Sequence, residues 1–145
     1  MARVEASVVI KRPVGEVFAY VSDETNSPEW ESYVLEAEQT SEGPMGLGST
    51  LRGVGQFLGR RMEWTSQITG YEPNRKVDSK IDAGPMQLEE STTFEPVEGG
   101  TRVTKVYEGE PGGFFKVAER IVVRMLQRQV EGDLANLKDI LEAQA

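Results

Sequence analysis

The chain has 145 residues, 38% of them hydrophobic and 28% charged, which suits one globular domain with its own core. It contains no cysteine and no histidine, which excludes disulfides, thiolate nucleophiles and serine–histidine pairs and removes the commonest metal ligand. The formal net charge is −8 and the basic doublets Lys11-Arg12, Arg60-Arg61 and Arg75-Lys76 are scattered, so the basic stripe of a nucleic-acid binder is missing.

Residues 3–11 place Val4, Ala6, Val8 and Ile10 on one side of an alternating pattern, the mark of a strand with one buried face. The first residues, Met1-Ala2-Arg3-Val4-Glu5, lack the apolar segment of a secretory signal, and no apolar run approaches the ~18 residues of a membrane span. A cytoplasmic protein without membrane insertion is expected. Pro13 stops the strand and suits a helix start, and Val14, Val17, Phe18 and Val21 predict a short helix over 13–22. The turn-rich Asp23 to Pro28 follows, then a second helical turn through Pro28-Glu29-Trp30.

Strands are predicted over 33–40, 49–58, 61–71, 75–82, 86–96 and 101–108, separated by turn signals at Gly43-Pro44, Gly59-Arg60, Pro73-Asn74, Gly84-Pro85 and Gly99-Gly100. With no helical pattern between them, they read as an antiparallel meander. After Pro111-Gly112-Gly113, a helix is expected from Phe114 to about Glu142. Its stripe of Ala118, Ile121, Val122, Met125, Leu126, Val130, Leu134, Leu137 and Leu141 recurs at three- and four-residue steps. Only the meander is broad enough to receive it.

Ile10 to Phe18, Val21-Ser22-Asp23, Ser27 to Trp30, Gly46 to Ser49, Gly99 to Val103 and Leu134 to Glu142 stand here in a telling order. In them the chain resembles the START-like, or SRPBCC, superfamily, and within it the polyketide cyclase/dehydrase-like branch. The resemblance spans 1–145 as one domain. It implies an α+β helix-grip fold, a curved antiparallel β-sheet wrapped around a long C-terminal α-helix, with two short helices after the first strand. It also implies a hydrophobic cavity between sheet and helix. That superfamily includes carriers, receptors, cyclases and chaperone cofactors, so the fold does not name the chemistry.

Within such a cavity, alternation puts Met86, Leu88, Glu90, Thr92 and Phe94 on one inward face, unless a bulge reverses the parity. A carboxylate there is a candidate proton carrier, because burial raises its pKa. Glu90 is therefore the candidate catalytic residue. Met62 and Trp64 are expected on a second inward face, and Trp30, Tyr33, Phe57, Tyr107, Phe114 and Met125 are candidates to add ligand-binding surface. For each of them plain core packing is the competing reading.

Gly43 to Gly48 is not a phosphate loop, since a strand follows it and no Gly-Lys-Ser/Thr does. It is a tight loop that would sit over the cavity mouth. Pro111 to Phe115 is a connector, with a gating hinge as the alternative. Arg120, Arg124, Arg128 and Glu131 form a solvated helix face, which Val123 interrupts as a candidate homodimer contact. No metal or cofactor is expected.

The leading expectation is a non-enzymatic protein that binds a hydrophobic or aromatic small molecule, lipid-, polyketide- or terpenoid-like. The alternatives are a cyclase or dehydrase working without cysteine or histidine in the same cavity, and a regulatory or toxin–antitoxin interaction module. Orientation of a flexible substrate and exclusion of water would carry much of such a cyclisation.

Overall fold

The computed structural model describes residues 2–57, 59–84, 86–110 and 119–144. The first strand, β1 (Ala2–Ile10), is followed by α1 (Val14–Ser22), with Pro13 at its N-cap. A 3₁₀ turn (Glu24–Asn26) comes next, where only a turn was expected. Asp23 caps it by accepting from the Thr25 amide and hydroxyl at 3.2 and 2.6 Å, satisfying a donor that has no partner within the turn. The four-residue α2 (Ser27–Trp30) completes the pair of short helices.

Six strands follow: β2 (Val34–Gln39), β3 (Thr50–Phe57), β4 (Arg60–Glu72), β5 (Lys76–Ala83), β6 (Met86–Val97) and β7 (Gly100–Glu110). Their turns use Gly59, Asn74, Gly84 and Gly99 in the left-handed region, which explains why glycine and asparagine stand there. All pairings are antiparallel, in the order β1-β7-β6-β5-β4-β3-β2. Strand β1 therefore returns to pair with the last strand, and the meander runs outward from there.

The sequence periodicity placed these strands within a residue or two of their ends. It could not place the β4 bulge, where Ile68 faces Ser79 and Gly70 faces Asp78. The extra residue restores the inward face after Thr69. Thus Ile68 is buried and Tyr71 also packs on the core, although the two are an odd number of residues apart.

The long helix, α3, is described over Glu119–Glu142, about 36 Å of helix at about 1.5 Å per residue. The expected start at Phe114, and the connector from Pro111, lie outside the described residues. The helix is tied to β1 and to Lys11 just after it by polar contacts. Gln127 donates to the Glu5 carbonyl, Lys138 to the Val9 carbonyl, and the Lys11 amide donates to Glu142, at 2.8, 2.9 and 2.9 Å.

Beneath the second half of α3 the interior is filled. Val130, Leu134, Leu137 and Leu141 descend onto Val4, Ile10, Val103 and the α1 residues Val17, Phe18 and Val21. Phe18 stands edge-on to Tyr71 and Phe94, with centroids 5.5 and 5.0 Å apart. Each of these side chains contributes about 1.5–3 kcal/mol by leaving water.

Beneath the first half the packing is different. Val122 is buried, whereas Ile121 is 63% and Met125 42% exposed. The expected stripe is thus too wide at this end. The residues that turn inward are Val122, Val123 and Leu126, which border a cavity. Val123 is half-buried between the two sides, bordering the cavity and also the outer groove that it shares with Arg120, Arg124, Arg128 and Glu131. Arg120, Arg124, Arg128 and Glu131 are exposed as anticipated.

Candidate ligand-binding cavity

Between the concave sheet and the first half of α3 lies a cavity of about 130 Å³, the scale that accepts an aromatic ring. Its wall is made by the inward residues of successive strands. Gly53, Gly55 and Phe57 come from β3, Met62 and Trp64 from β4, Ile81 and Ala83 from β5, and Met86, Leu88 and Glu90 from β6.

The glycines have a specific task. Strand register sets Gly53 opposite Trp64 and Gly55 opposite Met62, and a methyl at Gly53 would overlap the Trp64 indole. Two residues without side chains therefore let the indole lie flat against β3. Tyr33 packs beside it, with ring centroids 5.9 Å apart and planes inclined by 43°.

The expected residues sort clearly. Tyr33, Phe57, Met62, Trp64, Met86, Leu88, Glu90 and Tyr107 all border the cavity. Trp30 does not. It is 3% exposed and packed in the filled core, because the α2 turn directs it behind Lys105. Met125 points to solvent, one helical step away from the wall. Phe114 lies outside the described residues. The loop over 43–48 supplies no residue to the cavity wall, and Met45 packs on the filled core instead, so the loop is not its lid.

Glu90 faces inward because the β5–β6 and β6–β7 registers run without a break past it. It is not alone. The Lys105 ammonium, on β7 between Val103 and Tyr107, donates to Glu90 at 2.8 Å and to Glu31 at 2.9 Å. The side chains of Lys105, Glu90 and Glu31 are only 5%, 12% and 9% exposed. Lys105 also lies 5.0 and 5.3 Å from the Trp30 and Tyr107 ring centroids, close enough for both π-faces to attract it. Burial alone would drive the Lys105 proton off, but Glu31 and then Glu90 outweigh it and hold the pKa well above the ordinary lysine value.

Tyr33 and Tyr107 bring their hydroxyls to 3.4 Å at this end. Burial first, and then the neighbouring phenol for Tyr33 or Glu90 for Tyr107, raise both pKa values well above the usual phenol range, so both are neutral donors near pH 7. Asp133, on the buried face of α3, accepts from the Ser32 amide and hydroxyl at 3.0 and 2.9 Å and fixes the segment that carries Glu31.

Glu24 also borders the cavity, and its Oε2 is the one buried side-chain oxygen among the described residues without a hydrogen-bond partner. Burial, then repulsion by Glu90, push its pKa up to about 8, against the pull of Lys105. Among the described residues no cluster of three or more aspartates and glutamates could hold a metal ion, so these carboxylates are not arranged as a metal site.

Sequence reasoning reached Glu90 and missed its partners. Lys105 was legible, since alternation puts it on the face of Val103 and Tyr107. Asp133 was legible too, as an acid set among Val130, Leu134 and Leu137. Glu24 and Glu31 lie in short turns without period, and nothing in the sequence pointed inward from them.

An antiparallel sheet gripping a long helix, with an apolar cavity between them that ends in polar groups, defines the START-like class of fold. The model of the polyketide cyclase/dehydrase and lipid transport family matches residues 1–142, and the chain belongs to that family. Its structure is similar to that of TTHA0849 from Thermus thermophilus, with a TM-score of 0.84 and 20% identity over 99% of both chains. It is also similar to the ZhuI aromatase/cyclase from Streptomyces sp. R1128, with a TM-score of 0.76 and 16% identity over 97% of this chain and 93% of that one. A START superfamily protein from Mycobacterium smegmatis gives a TM-score of 0.71 and 16% identity over 94% of this chain and 99% of that one. At such identities these likenesses concern the fold. No curated protein matches the sequence. Among the described residues, no helix is long and apolar enough to cross a membrane.

Proposed function

We propose that the chain binds a hydrophobic or aromatic small molecule in the cavity under the first half of α3, as a binding or carrier protein. The observation that carries this reading is the contrast along one helix. Sheet and helix are fully packed at one end, yet at the other they leave an aromatic-walled space. A core that only had to be stable would close it, since unfilled volume costs stability. The fixed groups at its inner end, Tyr107 and Glu90, suit orientation of a ligand that is otherwise held by apolar contact. Native mass spectrometry of protein purified from its host tests this directly. A co-purifying apolar molecule, lost when Ala83→Phe fills the space, is the expected result. Protein of bare chain mass that also takes up no added aromatic compound would defeat it.

One observation favours a second, enzymatic reading of the same cavity. In a chain without histidine, Glu24 has a pKa of about 8, near where a general acid or base works best. Glu90, the residue expected for that task, is committed to Lys105. A cyclase or dehydrase would then lose turnover in Glu24→Gln and keep ligand binding, whereas a carrier has no turnover to lose.

A further inference from the structure

The cavity end has an imbalance that neither packing nor the Lys105 network accounts for. Three carboxylates, Glu24, Glu31 and Glu90, gather around one ammonium. Lys105 is hydrogen-bonded to Glu31 and Glu90, which leaves Glu24 outside the pairing. Its Oε2 is buried at the cavity wall with no donor. Leaving a buried carboxylate oxygen without a donor is costly, and such a group persists where something else supplies the partner. The adjoining wall is aromatic and apolar, with Tyr33 and Trp64 side by side, and π-faces of that kind draw cations.

We propose that the inner end of the cavity recognises an organic ammonium group, with Glu24 as its carboxylate partner and the aromatic wall holding the apolar body. The ligand class is thus an arylalkyl or alkyl amine. This rests on the cavity being a small-molecule site, as proposed above, and narrows what enters it. Glu31 and Glu90 supply the negative field and remain paired with Lys105. A carboxylate ligand is disfavoured, because it would be repelled by Glu31 and Glu90, which already face the one cation of the site, and it could not pair with an ionised Glu24.

The titration of the site follows from the groups that face Glu24, which are Glu90 on β6, Lys105 on β7, and Glu31 and Asp23 on either side of the short helices. With its pKa near 8, Glu24 is mostly protonated at pH 7 when the cavity is free. An ammonium displaces that proton to solvent, and the product is a carboxylate–ammonium pair. Binding an amine at pH 7 therefore releases close to one proton, and amine affinity rises from pH 6 to pH 8. A neutral ligand releases none.

The test is isothermal titration with 3-phenylpropan-1-amine, 3-phenylpropan-1-ol and 3-phenylpropanoate, which share one apolar body and differ in the end group. Each is run in two buffers of different ionisation enthalpy. The amine is expected to bind at least about tenfold more tightly than the alcohol, with proton release, and the carboxylate most weakly. Glu24→Gln should abolish the amine preference and the proton release and still bind the alcohol. Should that variant fail to fold, the preference of the unaltered protein for the amine over the alcohol and the carboxylate, read together with proton release, decides the matter. Equal affinity of amine and alcohol, or amine binding without proton release, overturns the ammonium site and leaves the cavity reading standing. Failure of all three compounds to bind sinks both.

Discussion

The two ends of the sheet–helix interface are built from one helix and one sheet, yet they obey different rules. Under Val130, Leu134, Leu137 and Leu141 the inward positions are apolar and filled. Under Val122, Val123 and Leu126 the facing strands offer glycines, aromatic rings and a buried ion network around a hole. The filled end supplies stability. The open end has given up packing, and in a marginally stable fold that loss is tolerable only because the other end is complete. The division of labour also explains the helix exposure, since a helix over a hole has less to bury than one over a core.

The largest break in this comparison should come from Lys105. Its replacement by methionine leaves Glu31 and Glu90 buried without a counter-ion, at a cost of about 3–5 kcal/mol. Urea denaturation would measure it, and a loss below about 1 kcal/mol would mean that the carboxylates are hydrated and the cavity end wet. The next comparison takes one leucine from each end. Leu137→Ala opens a void in the filled core and should cost about 2–5 kcal/mol. Leu88→Ala enlarges a space already present and should cost about 1 kcal/mol. Equal losses would show that the two ends are packed alike.

Much of this architecture was legible in the sequence, and the reasons differ by element. Alternation located the strands and the inward face of β6, because one buried face imposes a period of two. The helix stripe was read correctly from Val130 onward, where it meets a full core. It failed at Ile121 and Met125, where tertiary space and not periodicity decides which residues turn inward. The aromatic wall was visible as Trp64 and Tyr33, but the requirement for Gly53 beside Trp64 depends on cross-strand register. The charge network was half visible. Glu90 and Lys105 lie on strands, whose period gives direction, whereas Glu24 and Glu31 lie in turns, which have none.

A smaller effect sharpens the contrast in pH. Glu24 binds its proton more tightly in the folded chain, with the pKa raised from 4.5 to about 8 by burial. Its contribution to stability is full below about 4.5 and is lost as pH rises through about 8. Glu31 and Asp133 are raised as well, again by burial first, and act in the same direction. Stability should therefore fall from about pH 5 toward about pH 8.5, and Glu24→Gln should flatten part of that fall. An unchanged slope in the variant would place Glu24 in contact with water.

The most direct measurement is calorimetric titration of an uncharged aromatic probe, 3-phenylpropan-1-ol, into the unaltered protein and into Ala83→Phe. Ala83 is 6% exposed and borders the cavity, so a phenyl ring there occupies the ligand space. Saturable binding to the unaltered protein, abolished in a folded variant, is the predicted result. Binding that survives the filled cavity, or no saturable binding in either protein, would contradict a ligand site at the open end.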